Sequence, residues 1–471
     1  MANLHQLPVL QNDPQRPLGE GSLGRDGKRR RPYPADVSGR FARARIAVFW
    51  TLIALWASLP WIPVGGHPAV FLDVDKRQFF LFGLTFNSQD VWLMFFLISG
   101  VGFGLVYATA VLGRVWCGWA CPQTVFLEAL FRPIERLING SRNVALRRAH
   151  HGGRVDFDRL WRAVATHAAY LIAAALVAHV LLAYFVSIPR VFEMVRAKPS
   201  AHPEAFAWMF AITGIMYGNF AFFREQLCVV ICPYGRLQSV LLDDDSLVVG
   251  YDERRGEPRA KASVKGGDCV DCNRCVVVCP TGIDIRDGLQ LDCIACTACI
   301  DACDDVMDKL GRPRGLVRYD SLRGLRGEKR KLLRPRLYGY TLLLVIGAVV
   351  ATFAFRSREP FEANVVRLAG LPYTRDGATI RNAFELHLVN KQSSPTSFEI
   401  EALDTPDLAF VIAMSNVDIE PLGSRRIPVF VTMDQARFTQ DRRFVLRVRE
   451  RGASGESVVH DAGATFLGAR P

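Results

Sequence analysis

Cysteine is absent from the last third of this sequence: the chain has twelve cysteines, and the last of them is Cys303. A C-terminal region without cysteine needs no disulfide bonds to fold. The motif Cys-x2-Cys-His is also missing, which excludes covalently attached c-type haem. The first 45 residues have no small-residue cleavage site of a secretory signal peptide, so we expect a flexible basic tail there.

Long apolar runs, in contrast, are abundant. The chain has 471 residues, of which 50% are apolar, and its mean hydropathy is +0.14. Several runs have no charge in their central turns, so buried core helices of a soluble enzyme explain them less well. We therefore expect an integral membrane α-helical protein. Five stretches approach the roughly 20 apolar residues that a spanning helix needs, namely 46–64, 91–112, 163–188, 205–223 and 337–355.

Positive charge clusters beside the predicted spans. The formal net charge is +12, which the positive-inside rule explains without nucleic acid. Basic residues crowd the tail at 1–45, the loop at 114–162 and the segment at 309–336, whereas the loops at 73–90 and 190–204 have few. The basic regions are therefore predicted to be cytoplasmic, with residues 360–471 outside. Contact with anionic membrane lipid is a further expectation for the basic clusters.

Eight cysteines form two runs of the same spacing. The first is Cys269-x2-Cys272-x2-Cys275-x3-Cys279-Pro280, and the second is Cys293-x2-Cys296-x2-Cys299-x3-Cys303, followed by Asp304 instead of proline. In bacterial ferredoxins such a run gives three thiolates to one [4Fe–4S] cluster and the fourth to the other. The spacing therefore predicts one cluster on Cys269, Cys272, Cys275 and Cys303, and a second on Cys293, Cys296, Cys299 and Cys279. Two zinc sites or a set of disulfide bonds would fit this spacing poorly. Zinc sites usually take cysteines in pairs, whereas each of these short loops has three.

The other four cysteines form two matched motifs, Cys117-Gly-Trp-Ala-Cys121-Pro122 and Cys228-Val-Val-Ile-Cys232-Pro233. Each motif follows a span predicted to descend to the cytoplasm. Residues four apart share a helix face, and the proline ends or kinks the helix near the second thiol. Soft sulfur ligands select Cu(I), zinc or iron–sulfur centres. Three interpretations stay open: thiol pairs that bind and reduce copper, a third cluster on all four cysteines, or small buried hydrophobes.

Other polar and aromatic residues near the spans carry weaker signals. His167 and His179 lie in the third predicted span; a haem site is an alternative there, but a hydrogen bond to a neighbouring helix is the simpler interpretation. Trp119, like Trp116, is expected to be an interfacial anchor. Glu128 and Glu135 predict an amphipathic surface helix, with a quinone or proton path as the alternative.

From residue 360 the hydrophobic pattern changes to a period of two, in which Phe384, Leu386 and Leu388 alternate with Glu385 and His387. Short alternating strands separated by turns predict a β-sandwich. The resulting order of segments is a tail at 1–45, a four-span membrane core at 46–240, a linker at 241–265, a ferredoxin domain at 266–310, a basic linker at 311–336, a fifth transmembrane helix at 337–356 and an exported β-domain at 360–471.

In these motifs the chain resembles the FixG/RdxA/CcoG family of membrane polyferredoxins, from about Arg40 to the C-terminus. Two more segments carry the resemblance: Tyr251-Asp252-x-x-Arg255-Gly256-Glu257-Pro258-Arg259 and the second cysteine run, in which Asp304 matches the family. The resemblance implies a bacterial inner-membrane protein with a periplasmic immunoglobulin-like domain. It also implies an accessory role in assembly of cbb3-type cytochrome c oxidase, with a copper transporter and the oxidase assembly machinery as partners.

The resemblance further implies reduction of Cu(II) to Cu(I), at the thiols of Cys117, Cys121, Cys228 and Cys232. The leading hypothesis is therefore a relay in which the two clusters take electrons from an unidentified donor and pass them to copper. One rival is a quinol dehydrogenase similar to the NapH-type membrane ferredoxins, against which the fifth span and the β-domain argue. The other is a non-enzymatic oxidase assembly factor with structural clusters.

Overall fold

The computed structural model describes residues 32–87, 90–150, 157–260, 266–331, 333–392, 394–451 and 458–468. Most of the predicted basic tail, up to residue 31, therefore lies outside the described residues. The chain divides into two compact units. The first consists of Met1–Val74 with Met94–Val349, and the second of Asp75–Leu93 with Val350–Pro471.

Helices form most of the first unit. In chain order the helices are α1 (Arg40–Ser58), α2 (Val91–Leu112), α3 (Val115–Trp119), α4 (Pro122–Phe126), α5 (Arg132–Asn139), α6 (Arg142–His150), α7 (Phe157–Val186), α8 (Ile188–Arg196), α9 (Pro203–Gly218), α10 (Pro233–Leu241), α11 (Glu253–Gly256), α12 (Arg274–Val277), α13 (Ala298–Lys309), α14 (Leu322–Leu325) and α15 (Pro335–Arg356). Three π-helical turns adjoin them, at Leu127–Phe131, Asn219–Phe223 and Leu227–Ile231.

The strands are mostly in the second unit. They are β1 (Pro63–Val64), β2 (His67–Pro68), β3 (Val70–Asp73), β4 (Gln78–Leu81), β5 (Leu84–Phe86), β6 (Leu247–Tyr251), β7 (Val317–Ser321), β8 (Phe361–Arg367), β9 (Thr374–Asp376), β10 (Thr379–Asn390), β11 (Thr396–Ala402), β12 (Ala409–Ile412), β13 (Asn416–Ile419), β14 (Ser424–Asp434), β15 (Arg442–Arg451) and β16 (Val459–Phe466).

Five helices in the described part of the chain are long and apolar enough to cross a membrane. They are Arg40–Trp61, Trp92–Leu112, Phe157–Val186, Pro203–Phe223 and Pro335–Arg356. The five predicted spans are thus confirmed, although their ends shift. The first helical segment ends before residue 63, because Pro60 and Pro63 cannot continue a regular helix. The third ends at Val186, since Ser187 has a positive φ of 67°.

The membrane helices pack through a small aromatic core. Phe131 stacks on Phe220 with ring centroids 4.3 Å apart, and the ring of Tyr170 meets Phe131 edge-on at 5.2 Å. Ala173 and Ala174 of α7 are buried in the same cluster. Small residues let helix backbones approach closely in a membrane, where van der Waals packing drives association. This contact holds α7 and α9 together with the π-helical turn Leu127–Phe131, which follows Cys117 and Cys121 in the chain.

The ferredoxin module extends beyond the predicted range of 266–310. Strand β6 pairs with β7 in an antiparallel ladder from Leu247↔Ser321 to Tyr251↔Val317. Asp252 caps α11 and also bonds Arg318 at 2.8 Å. The segments predicted as linkers at 241–265 and 311–336 are therefore partly folded, because each contributes a strand to the module. Residues 261–265 of the first linker lie outside the described residues.

The C-terminal region is an antiparallel β-sandwich of two sheets, with strand orders β12-β14-β10-β8 and β13-β11-β15-β16; β9 pairs with β10. The predicted alternation is confirmed on β10, where Phe384, Leu386 and Leu388 are fully buried. They pack in one core with apolar residues of the opposite sheet, including Phe398 and Phe444. Burial of one face of each sheet is what the period of two predicts.

Candidate metal centres and membrane thiols

Four cysteines line a cavity of about 370 Å³ in the ferredoxin module. They are Cys269, Cys272, Cys275 and Cys303. The rest of the wall is mainly apolar and includes Val306, Met307 and Leu316. The first three cysteines come from the first run and the fourth comes from the second run, so the structure brings together the set that the spacing predicts for one cluster.

A second cavity, of about 340 Å³, lies beside the first. It is lined by Cys279 of the first run and by Cys293, Cys296 and Cys299 of the second, and Cys275 also reaches it. Each run therefore sends its fourth cysteine to the other cavity. Helix positions explain this exchange. Cys299 and Cys303 both lie on α13, so this helix lines both cavities, and Cys275 lies on α12.

The two cysteine loops repeat an unusual backbone. Asp271 and Asn273 in the first loop have φ values of 53° and 54°, and Ala295 and Thr297 in the second have 52° and 64°. Left-handed residues between right-handed ones turn successive N–H groups toward a common concavity, a nest that suits anions and iron–sulfur centres. Asn273 and Thr297 then begin α12 and α13. The backbone of both loops thus fits the negative charge of a thiolate-ligated cluster.

The buried thiols of the two sets also fit a metal-bound state. Burial raises the pKa of Cys293 to about 12, and burial with the neighbouring Cys272 raises the pKa of Cys303 to about 12. Such thiols keep their protons at neutral pH unless a metal displaces them. Iron must therefore supply the free energy that ionises these sulfurs.

Asp304 replaces the proline of the first run, and the structure shows why. Helix α13 continues past Cys303 to Lys309, which a proline after the cysteine would hinder. The Asp304 carboxylate accepts a hydrogen bond from the Gly315 amide at 3.0 Å. In the first run, in contrast, α12 already ends at Val277, before Cys279 and Pro280. The two runs have the same cysteine spacing but differ in the backbone conformation around the fourth cysteine.

The ferredoxin module is anchored to the first span by Asp301. Its carboxylate accepts the backbone N–H groups of Phe41 and Ala42, at 3.3 and 2.7 Å, and so caps the N-terminus of α1. A Cβ at Gly39 would collide with Asp301, so this close approach requires glycine. Because Asp301 lies between Cys299 and Cys303, the helix that carries these two cysteines is hydrogen-bonded to the start of the first span.

The four remaining cysteines meet at the end of the membrane helices. The Cys228 thiol interacts electrostatically with Cys121, Cys117 and Cys232, and Cys117 donates to Gln238 Oε1 at 3.4 Å. The predicted helix breaks are present, but the second thiol of each motif belongs to the next helix. Cys121 is the N-cap residue of α4 and Cys232 that of α10, in both cases with proline at the first helical position.

Gly118 lies between Cys117 and Cys121, the first thiol motif. It packs directly on residues 291–296, the ligand loop, which brings Cys293 and Cys296 to the second cavity. A Cβ at this position would lie 2.6 Å from the carbonyl oxygen of Ile294 and 2.7 Å from that of Ala295. Both carbonyls lie between Cys293 and Cys296. The membrane thiols therefore adjoin the second cavity through backbone contact.

Arg114 joins three backbone segments at this junction. Its guanidinium donates to the carbonyls of Leu291 and Cys293 in the ligand loop, and to that of Gly235 just after the second thiol motif. A guanidinium has five donors in a fixed plane, so it can hold several carbonyls in one geometry. Arg114 thus fixes the ligand loop against the second thiol motif, as Gly118 does against the first.

Trp119 is not an interfacial anchor, contrary to expectation. Its indole N–H donates to the Tyr319 hydroxyl at 3.0 Å, and Tyr319 donates to the Ala295 carbonyl at 2.9 Å. The ring of Phe41 lies edge-on to both aromatic side chains. Trp119 is therefore docked in the ferredoxin module, where it braces the second ligand loop.

Glu128 and Glu135 do not form the predicted solvated face. Glu128 pairs with Arg132 at 3.1 Å, and Glu135 pairs with Arg224 at 2.9 Å. Both arginines are almost fully buried, and Glu225 lies 3.9 Å from each of them. Removing one partner of a buried ion pair costs about 3–5 kcal/mol. Sequence periodicity missed this network because Arg224 and Glu225 follow a different span.

His167 and His179 do not act as a pair. His167 Nδ1 lies 3.0 Å from the Tyr217 hydroxyl, and His179 Nδ1 lies 2.7 Å from the carbonyl oxygen of Ala175. Twelve residues of helix separate the two imidazoles by roughly 18 Å along the axis. The contact of His167 with Tyr217 matches the predicted bond to a neighbouring helix.

Cysteine-lined cavities beside helices that can cross a membrane define a membrane-bound iron–sulfur protein. Residues 223–322 match the family described as "4Fe-4S dicluster domain", residues 93–141 match "4Fe-4S binding domain", and residues 351–469 match "IG-like fold at C-terminal of FixG". These matches confirm the ferredoxin and immunoglobulin-like domains. The second of them contains Cys117 and Cys121.

The chain belongs to the FixG/RdxA/RdxB family. It is 33% identical to the nitrogen fixation protein FixG of Rhizobium meliloti, over 94% of each chain. It is 35% identical to protein RdxA of Cereibacter sphaeroides, over 78% of this chain and 81% of that one. Protein RdxB of the same organism is 34% identical over 87% of this chain and 88% of that protein. The protein is thus an iron–sulfur electron-transfer protein of the membrane.

Proposed function

We propose that the protein reduces Cu(II) to Cu(I) at the four membrane thiols, for assembly of the copper centre of a cbb3-type cytochrome oxidase. The observation that carries this proposal is the backbone contact between Gly118 and the loop of Cys293 and Cys296. It puts a soft-metal site next to a cluster site. Bound [4Fe–4S] clusters, held by the two cysteine sets, would supply one-electron storage.

The chain's own contribution is a desolvated set of sulfurs. Burial is the largest cause that raises the pKa of Cys117 to about 11 and that of Cys228 to about 12. The Cys117 and Cys228 thiols are therefore protonated until a metal displaces their protons. Sulfur ligands favour Cu(I) over the harder Cu(II), so they raise the driving force for the reaction Cu(II) + e⁻ → Cu(I).

Sidedness and partners complete the proposal. The basic segment at 309–336 and the positive-inside rule support clusters on the cytoplasmic side of a bacterial inner membrane and a periplasmic β-sandwich. A copper transporter and the oxidase assembly machinery are the partners that family membership suggests.

Anaerobic titration tests the proposal directly. Reduced protein is mixed with Cu(II), the cluster signal is followed by electron paramagnetic resonance, and Cu(I) is captured with bathocuproine. We expect one Cu(I) for each reduced cluster that loses its signal, hence about two per chain. Cluster signals that persist in excess Cu(II), with no Cu(I) formed, would rule out a cupric reductase.

A quinol dehydrogenase is the second candidate, favoured by one cavity. An open cavity lies between α1, the helical segment that follows Cys121 and the ferredoxin module. Apolar Phe49 and Trp50 line it together with Arg45, Glu128 and Arg132, a mixture that suits an amphipathic ring. Reduction of the clusters by a soluble quinol, with no oxidation by Cu(II), would favour this candidate over the first.

The variant Gly118→Ala tests the junction between the thiols and the ligand loop. Since the new methyl group would lie 2.6 Å from the Ile294 carbonyl oxygen, the loop must move away. A displacement of about 1 Å can cost roughly 100-fold in rate, so we expect Cu(I) formation to slow by about 10- to 100-fold. Gly104→Ala, which meets open space, is the matched control and should keep the full rate. Equal rates in both variants would remove the junction from the mechanism.

A further inference from the structure

A cavity at the other end of the membrane core is rich in two uncommon residues. It is an open cavity lined by residues of α7, α8 and α9 and of the segment between α8 and α9. The chain has 8 methionines and 9 histidines among 471 residues, yet 4 of the 12 residues that line this cavity are Met194, Met209, His179 and His202. All four are half-buried.

The four side chains come from α7 and from two helices that pack against it. His179 lies on α7, Met194 on α8 and Met209 on α9, and His202 is the N-cap residue of α9. The positions of His179, Met194 and Met209 are therefore set by helix packing, and His202 lies directly before α9. An ionisable residue inside a spanning helix, such as His179, usually marks a functional site because its burial is costly.

The tautomer of His179 is set by its own helix. Its Nδ1 lies 2.7 Å from the Ala175 carbonyl oxygen, which can only accept, so Nδ1 carries the proton and donates. Nε2 then keeps its lone pair for a ligand. Metal-binding histidines usually have this arrangement, in which one ring nitrogen donates to a carbonyl and the other binds the metal.

The donor set selects one class of metal ion. Thioether sulfur selects Cu(I), and imidazole also suits copper, whereas calcium and magnesium require oxygen. No carboxylate is among the described residues that line the cavity. Exposed Lys198 also lines it, and its positive charge opposes a divalent ion twice as strongly as a monovalent one. We propose that Met194, Met209, His179 and His202 bind a Cu(I) ion.

This site is separate from the membrane thiols. The span Pro203–Phe223 begins just after His202 and leads to Cys228, and its 21 residues extend for roughly 30 Å. The Cu(I) site therefore lies at the opposite end of α9 from the cysteines. At that end it would hold reduced copper. The supply of Cu(I) rests on the proposed function, whereas the assignment of the four ligands does not.

Copper binding is tested in a background where the thiols cannot contribute. In the cluster-loaded protein with Cys117→Ser, Cys121→Ser, Cys228→Ser and Cys232→Ser, we expect one Cu(I) per chain in anaerobic competition with bathocuproine. Adding Met194→Leu and Met209→Leu, which keep side-chain volume, should weaken this binding by at least about 100-fold. Met216→Leu, a methionine of the buried helix contact, is the matched control and should bind like the background.

The outcomes separate this site from the reductase. Unchanged Cu(I) affinity in the Met194→Leu, Met209→Leu protein would overturn the site, as would Zn(II) binding as tight as Cu(I) binding. The same two substitutions in the chain with its thiols intact should leave the initial rate of Cu(II) reduction unchanged. If the protein with Met194→Leu and Met209→Leu lost Cu(II) reduction but still bound Cu(I), the site would be contradicted. If the protein with its natural methionines did not reduce Cu(II), only the proposed function would fail, and the binding result would stand.

Discussion

Serine at Cys117, Cys121, Cys228 and Cys232 together is expected to abolish Cu(II) reduction and to leave both ferredoxin clusters in place. The four thiols lie within electrostatic range of one another, so partial substitution leaves other sulfurs that can bind copper. Serine oxygen is a harder donor than sulfur and does not favour Cu(I). Cu(I) formation, followed by bathocuproine absorbance, should fall to the rate without protein.

The same variant decides what the thiols hold. Iron should stay at about eight atoms per chain, as for two [4Fe–4S] clusters. A fall of about four iron atoms relative to the natural chain would instead assign a third cluster to these cysteines. Ala120→Ser with Val230→Ser is the matched control, because both positions lie within the same two motifs but bear no thiol. Reduction that survives in the four-serine variant would refute the assignment of these sulfurs.

Features that depend on local sequence were predictable. The spans follow from uninterrupted apolar residues, since a bilayer demands about 20 of them. The cysteine sets follow from spacing, because three thiols within one short loop must face one centre. The alternation around Leu386 follows from the two faces of a strand. In each case the information lies within about twenty residues.

Contacts between distant segments were not predictable. Asp301 caps a helix 260 residues away, and Trp119 donates to Tyr319 across 200 residues. An aspartate between two cysteines gives no sign of a partner in the first span. Likewise, Glu128 has the periodicity of a solvated face, and only the fold shows that Arg132 beside it is buried. Periodicity describes one element at a time, whereas these contacts depend on how elements meet.

The cavity lined by the two methionines and two histidines was predictable only in part. In the sequence, His179 is a polar residue within a predicted span, and a haem site is the alternative interpretation there. Its neighbours Met194 and Met209 carry no signal alone, because methionine is common in apolar segments. Only the packing of α8 and α9 against α7 brings the sulfurs and the imidazoles to one cavity.

Paired cysteine substitutions test the exchange of ligands between the two runs. In the structure Cys279 lines the same cavity as Cys293, so the Cys279→Ser, Cys293→Ser variant removes two ligands of one cluster. It should keep about four iron atoms per chain. In contrast, Cys279→Ser with Cys269→Ser removes one ligand from each cavity and should keep almost none. Iron analysis of anaerobically purified protein, with resonance spectra of the reduced state, measures both.

If each run held its own cluster, the two results would be reversed, since Cys279 would then share a cluster with Cys269. Single substitutions cannot make this distinction, because either arrangement predicts the loss of one cluster. The pair Cys303→Ser with Cys269→Ser is the matched control: both residues line the first cavity, so about four iron atoms should again remain. Equal iron in all three variants would contradict both arrangements and with them the ligand sets on which electron transfer to the membrane thiols depends.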